Sequence, residues 1–508
     1  MKILLITGLL AHKDVVEIAN GIEDHEVHVW KVNKPVASLI TLKDLKNLLT
    51  SRVNEVKDYD LIMVPGLLRH DLTPLAKEFN VNIIKGPKFC GDIPLVIKYI
   101  EKGVKFSTSI PADEIIEKQL MSELGKVTEF IESRLSSYLE VSGVKVPIRP
   151  PPFRVVYEVN IGRFKDVNEL RNYLIKRLNY FDVLVLGIRV DESLRFGLGD
   201  AVSVAKSLGK PVGIDSPYID DVIEALRCGA DIAMNIKLND LPRILEFKDK
   251  MLILIPEKVD PKDRLKELTY TYQVFKNEGF TKLVLDPVTH PPLFGLLDTL
   301  LMLKDLMNKI DTPILFGLAN VYELMDADTH GVIALLTALA LECGTSLLLV
   351  TEESRKSQGA LCELHKAINM VYRSVLRRSP LLNTGIDLLI VKEKRDMKIS
   401  RPRFKELIKV KVKKSPIEFE PSNYFKILVD DLIYALNFRN NEEVARRAYV
   451  GTDGLSIGRE IISRGDVKSL DHALYLGYEL AKAEIALQLG KNYVQDSKLF
   501  RLGECYGR

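Results

Sequence analysis

The chain has few cysteines and almost no net charge, and both shortages narrow the classes of protein to which it can belong. Its 508 residues include five cysteines, and 72 lysines and arginines are nearly balanced by 69 aspartates and glutamates. Scattered cysteines in odd number, with no Cys-x-x-Cys pair, indicate free thiols and give no support to a zinc site. A net charge of +3 gives no reason to expect nucleic acid or a membrane surface as the main partner.

Long apolar segments and nucleotide-binding motifs are also missing. No stretch approaches about 18 uncharged apolar residues, so we expect no membrane-spanning helix. The opening residues, MKILLITGLL, are too short for a secretion signal and lack a small-residue cleavage site. Neither Gly-x-Gly-x-x-Gly nor a Walker motif occurs. We therefore expect a cytoplasmic globular protein, and the length predicts two to four domains.

The chain does contain a short apolar run followed by a helical pattern, and this unit recurs eight times. The runs are Val155–Val159, Val183–Ile188, Val212–Ile214, Asp231–Met234, Met251–Ile255, Leu283–Leu285, Ile314–Gly317 and Ser346–Val350. Continuous apolar strands that alternate with amphipathic helices are typical of a parallel sheet covered by helices. Eight such units in about two hundred residues favour a closed (β/α)8 TIM barrel over an open sheet.

Polar residues stand just after several of these runs, where a barrel carries its active site. They are Asn160, Asp215, Asn235, Asp286, Asn320, Glu352 and Glu353. One Asp after a strand is more often a helix cap than a functional group. A whole face of carboxylates and amides instead suits a neutral heterocycle rich in N–H groups, and it suits a bare phosphate poorly.

Two of these regions resemble the pterin-binding barrels, which comprise the dihydropteroate synthases and the methyltransferases that use methylated tetrahydropterins. The matching segments are GKPVGIDSPYIDDVIEALRCGADIAMNI (Gly209–Ile236) and LVLDP (Leu283–Pro287). The resemblance implies that Asp215, Asn235 and Asp286 hold the pterin ring. A carboxylate accepts two hydrogen bonds from an aminopyrimidine edge, and charge-assisted bonds are about twice as strong as neutral ones.

The first strand keeps one more residue of the synthase pattern. The run VNIGRF (Val159–Phe164) is a reduced form of the first-strand motif of the synthases. The resemblance implies that its Asn160 contacts the pterin and a Mg²⁺ ion. As a whole, the chain is most similar to the archaeal dihydropteroate synthase-related proteins, which suggests a role in the biosynthesis of folate-type or methanopterin cofactors.

The sequence departs from the bacterial synthases after the seventh and eighth runs. GLANVYEL (Gly317–Leu324) and LLVTEESRK (Leu348–Lys356) stand where the synthases carry Ser-Arg-Lys-Ser and Arg-x-His. GLANV is closer to the Gly-Leu-Ser-Asn-Val of the pterin methyltransferases, and this likeness implies that Asn320 lies near the methylated pterin nitrogen. The cations Arg355 and Lys356, just past the last run, are candidate ligands for an anionic group.

Three functions stay open at this point. In the first, a hydroxymethyl-dihydropterin pyrophosphate condenses with an arylamine, with Asp215, Asp286 and Asn320 as catalytic residues. In the second, the barrel passes the methyl group of a methyltetrahydropterin to a corrinoid. In the third, the protein binds a pterin without chemistry. We rank the synthase-like transferase first because the resemblance extends over the whole chain.

We predict three domains. Residues 1–145 form a Rossmann-like open α/β domain, residues 146–395 the barrel, and residues 396–508 a small α+β domain that follows a basic stretch from Lys392 to Lys414. The last domain weakly resembles the cobalamin-binding subunit of a tetrahydromethanopterin methyltransferase through GTDGLSIGREI (Gly451–Ile461), with His472 as the candidate cobalt ligand. Family resemblance also suggests a homodimer.

Overall fold

The computed structural model describes residues 1–88, 90–190, 193–258, 260–378, 380–382, 384–392, 408, 423–439 and 442–500. The chain divides into two compact units, Met1–Arg403 and Phe404–Arg508, and each is described by itself. Apart from Lys392 and Ile408, the predicted basic stretch lies outside the described residues. In the part of the chain that is described, no helix is both long and apolar enough to cross a membrane.

The first unit begins with a small parallel sheet. Its strands are β1 (Lys2–Thr7), β2 (Glu26–Lys31), β3 (Leu61–Val64) and β4 (Ile83–Lys85), which pair in the order β2-β1-β3-β4. The accompanying helices are α1 (His12–Asn20), α2 (Leu42–Ser51), α3 (Val53–Val56), α4 (Thr73–Phe79) and α5 (Ile93–Glu101). Leu4 and Ile6 pack on one face and Ile3 and Leu5 on the other, so the strand is buried on both sides. The predicted Rossmann-like sheet is confirmed.

A helix and a hairpin lead from this sheet to the barrel. The helix is α6 (Ala112–Ser133), and the hairpin pairs β5 (Tyr138–Val141) with β6 (Val144–Pro147). Val141 and Val146 pack with the lumen side chains of the barrel. Ser142 Oγ donates to Oδ1 of Asp231, the residue just before a barrel strand, at 2.6 Å. The hairpin, which the sequence analysis did not foresee, therefore closes the amino-terminal end of the barrel.

The barrel contains eight parallel strands. They are β7 (Arg154–Asn160), β8 (Val183–Gly187), β9 (Val212–Asp215), β10 (Ile232–Ile236), β11 (Met251–Leu254), β12 (Leu283–Leu285), β13 (Leu315–Gly317) and β14 (Leu347–Thr351). They pair in sequence order from β7 to β12 on one side and as β7-β14-β13 on the other. A parallel bridge between Leu285 and Ile314 joins β12 to the start of β13 and closes the ring. The predicted TIM barrel is confirmed.

Helices surround the barrel strands. They are α7 (Val167–Ile175), α8 (Leu198–Lys206), α9 (Ile219–Arg227), α10 (Leu241–Ile244), α11 (Pro261–Asn277), α12 (Leu296–Lys309), α13 (Ala319–Tyr322), α14 (Thr329–Glu342) and α15 (Ala360–Arg377). In β7, Val155, Tyr157 and Val159 pack under this helical layer while Val156 faces the lumen. Because both faces of each strand are buried, the strands appear in the sequence as continuous apolar runs.

The second unit is an antiparallel sheet covered by two helices. The strands β15 (Asn423–Val429), β16 (Ile433–Arg439) and β17 (Arg447–Gly451) pair in that order, and α16 (Gly454–Ser463) and α17 (Leu470–Leu489) follow. Phe425 and Ile427 of the sheet pack against Leu480 of α17. The predicted α+β fold of this region is confirmed, and β16 is a strand that the sequence analysis missed.

Candidate functional site

In each barrel strand, every second side chain points into the lumen. Near the carboxyl ends of the strands, several of these lumen-facing side chains are polar. In β9, Gly213 faces the lumen, since an added Cβ would lie 3.1 Å from a methyl of Val185 and 3.3 Å from Cβ of Ile232. Asp215 is two residues further along and therefore faces the same way. Burial raises the pKa of its carboxyl, and a hydrogen bond from Asn235 opposes that rise.

Asn235 reaches this position through an irregularity in its strand. The pairing of β10 with β11 shifts register between Ala233 and Ile236, and Asn235 between them has a φ of +57°. Asn tolerates the left-handed region better than most residues, and a bulge commonly re-aims a side chain. Its Nδ2 donates to Asp215 Oδ1 at 2.5 Å, so an amide–carboxylate pair links the ends of β9 and β10.

Asp286 occupies the corresponding lumen position just after β12. Its side chain is 7% exposed, and its Oδ1 accepts a hydrogen bond from the backbone N–H of Val288 at 2.7 Å. Burial raises the pKa of Asp286 to about 7, and the charge of Asp215 adds to the rise. The buried guanidinium of Arg264 holds this turn, because it donates to the carbonyl oxygens of Pro287 and Val288. The two predicted carboxylates therefore lie within electrostatic range of each other.

Glu158 is a member of this cluster that the sequence analysis did not single out. It lies in β7 two residues after the lumen-facing Val156, and its Oε1 would be 2.8 Å from a Cβ placed on Gly187 of the neighbouring strand. Burial raises the pKa of Glu158, and the charges of Asp215 and Glu353 raise it further. An ionisable residue at a lumen position of an otherwise apolar strand was the available signal.

Asn160 and Glu353 meet at the junction of β7 and β14. Asn160 is 6% exposed, and its Oδ1 accepts from the N–H of Gly162 at 2.9 Å. Its own N–H donates to Glu353 Oε1 at 3.2 Å, and Arg189 pairs with the other oxygen of Glu353 at 2.5 Å. Asn160 thus caps the turn after β7 and lies next to a salt bridge.

The described residues do not form a dedicated magnesium site. Within the described residues, no group of three His, Cys, Asp or Glu side chains is placed to hold a metal ion together. The amide oxygen of Asn160, the predicted metal ligand, is already engaged by the N–H of Gly162. Mg²⁺ prefers several oxygen ligands in octahedral geometry, which Asn160 alone does not provide.

Asn320 lies in α13 just beyond β13. Its Nδ2 donates to the carbonyl oxygen of Thr289 at 3.2 Å, and it lies 3.1 Å from the position of a Cβ on Gly317. Thr289 belongs to the loop that begins at Asp286. The structure therefore places Asn320 beside the turn that carries Asp286, on the opposite side from Asn235.

The predicted anion-binding residues, Arg355 and Lys356, lie on the turn that follows β14. Lys356 Nζ donates to the carbonyl oxygen of Met325 at 2.8 Å and pairs with the exposed Asp326 at 3.3 Å. Arg355 is exposed on the turn that follows β14. Lys356 is thus held by the segment after α13, and its contacts do not include Asp215 or Asp286.

His472, the candidate cobalt ligand of the second unit, is buried. Its side chain is 1% exposed, and its ring packs edge-on against Phe425 with centroids 5.9 Å apart. A ligand to a bound corrinoid needs an accessible ring nitrogen, and this ring is covered.

Two family descriptions and one full-length relative match the chain. Residues 419–496 match the family described as PterinBD-DUF4346, and residues 1–88 match a family of unknown function, DUF6513. An uncharacterized protein of Methanocaldococcus jannaschii, MJ0107, is 30% identical over 98% of this chain and 99% of its own length. A Ycf91-like protein of Nostoc is 30% identical over 17% of this chain and 90% of its own length.

Several solved structures of dihydropteroate synthases are distantly similar to this chain. The enzyme of Xanthomonas albilineans in complex with 7,8-dihydropteroate is 18% identical, covers 48% of this chain and 100% of its own, and has a TM-score of 0.37. The enzyme of Vibrio fischeri is 14% identical with the same coverage and a TM-score of 0.39. That of Coxiella burnetii is 16% identical, covers 46% of this chain and 98% of its own, and has a TM-score of 0.36. This likeness assigns no residue and no reaction to the present chain.

Proposed function

This chain belongs to the same family as the uncharacterized protein MJ0107 of Methanocaldococcus jannaschii, and from the polar residues at the carboxyl ends of its barrel strands we propose that the barrel is a pterin-dependent transferase. In this proposal, the ring of a reduced pterin lies at the carboxyl ends of the barrel strands. Asp215, Asn235 and Asp286 hold its aminopyrimidine edge, and Asn160 contacts it from β7. The reacting end of the ring then faces the loops that follow β13 and β14.

The observation that carries the proposal is the paired polar rim. Asn235 Nδ2 lies 2.5 Å from Asp215 Oδ1, and the 7% exposed Asp286 lies near enough for the charge of Asp215 to raise its pKa. Two carboxylates accept N–H groups, and the carbonyl oxygen of Asn235 adds a third acceptor. Each carboxylate has more acceptor positions than the one hydrogen bond it receives from the protein, and burying these positions unpaired is costly, so this rim supports a ligand that is rich in N–H groups.

The first reaction that we propose is the condensation of a hydroxymethyl-dihydropterin pyrophosphate with an arylamine. The arylamine nitrogen attacks the exocyclic carbon, the carbon–oxygen bond to pyrophosphate breaks, and the amine loses a proton. Asp215, Asp286 and Asn320 contribute by orienting the pterin, which can supply a large part of the rate enhancement. Arg355 is the candidate for an anionic group on the arylamine, because it is exposed just after β14.

The test is a mass-spectrometric assay of the full chain with the dihydropterin pyrophosphate and a ribosylated arylamine phosphate, with and without Mg²⁺. We expect the condensed product and one pyrophosphate for each turnover. Asp286→Asn should lower kcat/KM by about tenfold or more, because a charged hydrogen-bond acceptor contributes about 1.5–3 kcal/mol. Exposed Asp305→Asn on α12 is the matched control, which should retain activity. Absence of product under every metal condition would reject this reaction.

A second reaction is favoured by one observation, the position of Asn320. An Asn held beside the Asp286 loop at 3.2 Å from Thr289 O suits hydrogen bonding to a pterin nitrogen from which a methyl group departs. The acceptor would be a corrinoid carried by a partner, since His472 is covered. Methyl transfer from methyltetrahydropterin to free cob(I)alamin that is lost in Asn320→Ala would support this reaction. If the protein binds a pterin but forms neither product, the third function, a pterin carrier without chemistry, is supported.

The proposed homodimer can be tested by sedimentation.

A further inference from the structure

Glu158 lies in the lumen on β7, the strand that also carries Asn160, the fourth proposed pterin contact. Asp215 ends β9, Asn235 lies within β10, and Asp286 follows β12. Gly187 of β8 pairs in register with Asp215 and leaves room for the Glu158 carboxyl, so Glu158 and Asp215 face the same end of the lumen, and the charge of Asp215 acts on Asp286 as well. Because β7 and β12 lie on different sides of the closed ring, a ligand between them must present N–H groups to both.

The carboxyl of Glu158 differs from its two neighbours in its hydrogen bonding. Asp215 accepts from Asn235 at 2.5 Å, and Asp286 accepts from the N–H of Val288 at 2.7 Å. In the described part of the chain, Glu158 receives no hydrogen bond, although Arg189 acts on it electrostatically. This carboxyl is partly buried and has open acceptor positions, so an N–H group of a ligand can donate a hydrogen bond to it.

Gly187 provides the room that this carboxyl needs. A Cβ on Gly187 would lie 2.8 Å from Glu158 Oε1, closer than non-bonded atoms allow, so the absence of a side chain permits the observed conformation. Gly187 pairs with Asn160 on one side and with Asp215 on the other. The glycine in the neighbouring strand β8 therefore leaves space for the carboxyl of Glu158, which points into the lumen.

A pterin offers different numbers of N–H groups in its different oxidation states. The amino group and the adjacent ring N–H of the aminopyrimidine edge are present in all of them. Reduction adds N–H groups on the second ring, on the far side from that edge. A fully oxidised pterin therefore satisfies acceptors along one edge, whereas a reduced pterin also has donors for an acceptor elsewhere.

We propose that Glu158 accepts a hydrogen bond from an N–H group of the reduced second ring, and that this bond makes the site select reduced over fully oxidised pterins. The inference rests on the proposed function, because it places a pterin in the same barrel. In this inference, Glu158 determines which oxidation state binds more tightly. Asp286 instead binds the aminopyrimidine edge, which both oxidation states share.

The experiment measures the dissociation constants of 6-methyltetrahydropterin and 6-methylpterin for the full chain by anaerobic calorimetry. These two probes differ only in the reduction of the second ring. We expect the wild type to bind the reduced probe at least about tenfold more tightly, which is the effect of one charge-assisted hydrogen bond. Glu158→Gln should weaken binding of the reduced probe about tenfold and leave the oxidised probe unchanged.

Two further variants separate this role from a general loss of structure. Gly187→Ala should displace the Glu158 carboxyl and weaken the reduced probe selectively, and combining it with Glu158→Gln should add little. Asp286→Asn should weaken both probes by similar factors. Thermal unfolding of each variant shows whether it is folded at the temperature of the titration.

The outcomes distinguish the two proposals. If the wild type binds neither probe, the proposed function fails and this inference fails with it. If the wild type binds a pterin but Glu158→Gln changes both constants equally, or neither, the role of Glu158 is overturned and the pterin site stands. A selective loss for the reduced probe in both Glu158→Gln and Gly187→Ala supports the inference.

Discussion

At the scale of single residues, the backbone conformation determines which side chains point toward the rim of the barrel. Asp215 ends a regular strand and Asp286 directly follows one, so alternation alone points both side chains into the lumen. Asn235 is different, because alternation after the lumen-facing Met234 would turn it outward. Its φ of +57° at a shift in register brings its amide to Asp215 instead.

This difference predicts separable effects of two substitutions at Asn235. Asn235→Gly and Asn235→Ala both remove the amide, so both should weaken pterin binding by about tenfold or more. Glycine accepts a positive φ without strain, whereas alanine does not, so Asn235→Ala should be less stable than Asn235→Gly by about 1 kcal/mol. Calorimetric titration and urea unfolding measure the two effects. Equal stability of the two variants would contradict the role given to the backbone.

Residue patterns in the sequence predicted part of the site, and there are physical reasons why they did not predict the rest. Asp215, Asn235 and Asp286 were identifiable because they directly follow apolar runs. Glu158 lies inside a run that was interpreted as buried on both faces, so its lumen position needed the pairing of β7 with β8. The contact of Lys356 with Met325 joins segments that no local pattern relates.

At the scale of elements, long buried strands were predictable and short paired ones were not. The hairpin of β5 and β6 has strands of only four residues, and in β5 exposed residues alternate with more buried ones. Its turn, Ser142–Gly143, has φ values of +43° and +82°, as a two-residue hairpin requires. A Ser-Gly pair between apolar residues was the signal for it in the sequence. The strand β16 shows the same alternation from Ile433 to Arg439.

The hairpin predicts a stability effect far from the proposed site. Ser142→Ala removes the 2.6 Å bond to Asp231, a carboxylate that also pairs with Lys206 at 2.7 Å and accepts from Val212 N–H at 2.8 Å. We expect the free energy of unfolding, measured in urea, to be lower by about 1–2 kcal/mol, because the acceptor of the lost hydrogen bond is charged. The exposed Ser136→Ala just before β5 is the control and should change little. Pterin affinity should be the same in both variants, and a loss in Ser142→Ala would indicate a coupling that the structure does not contain.

At the scale of the whole molecule, the barrel places its polar groups at one end of an apolar lumen. The middle of the lumen is filled by side chains such as Val185, Ile253 and Leu349, and the hairpin closes the amino-terminal end. The carboxyls of Glu158, Asp215 and Asp286 therefore lie between packed hydrocarbon and the open rim. Burial raises the pKa of each of the three, so the rim is destabilised in the absence of a ligand with N–H groups.

This arrangement predicts that the contribution of Asp286 to the stability of the ligand-free protein falls as the pH rises. Asp286 has a pKa of about 7 in the folded chain, against about 3.9 for an unfolded Asp. Between these values the folded state keeps a proton on Asp286 that the unfolded state loses, so the contribution of Asp286 to the free energy of unfolding falls as the pH increases from about 4 to about 7. Asp286→Asn removes this titration, and it should be more stable than the wild type at pH 8 by on the order of 1 kcal/mol or more, with no such gain at pH 4. Urea unfolding at both pH values measures the difference. A saturating reduced pterin should abolish the advantage of the variant, because its N–H groups favour the ionised carboxylates, and an equal advantage at both pH values would show that Asp286 is already ionised without cost.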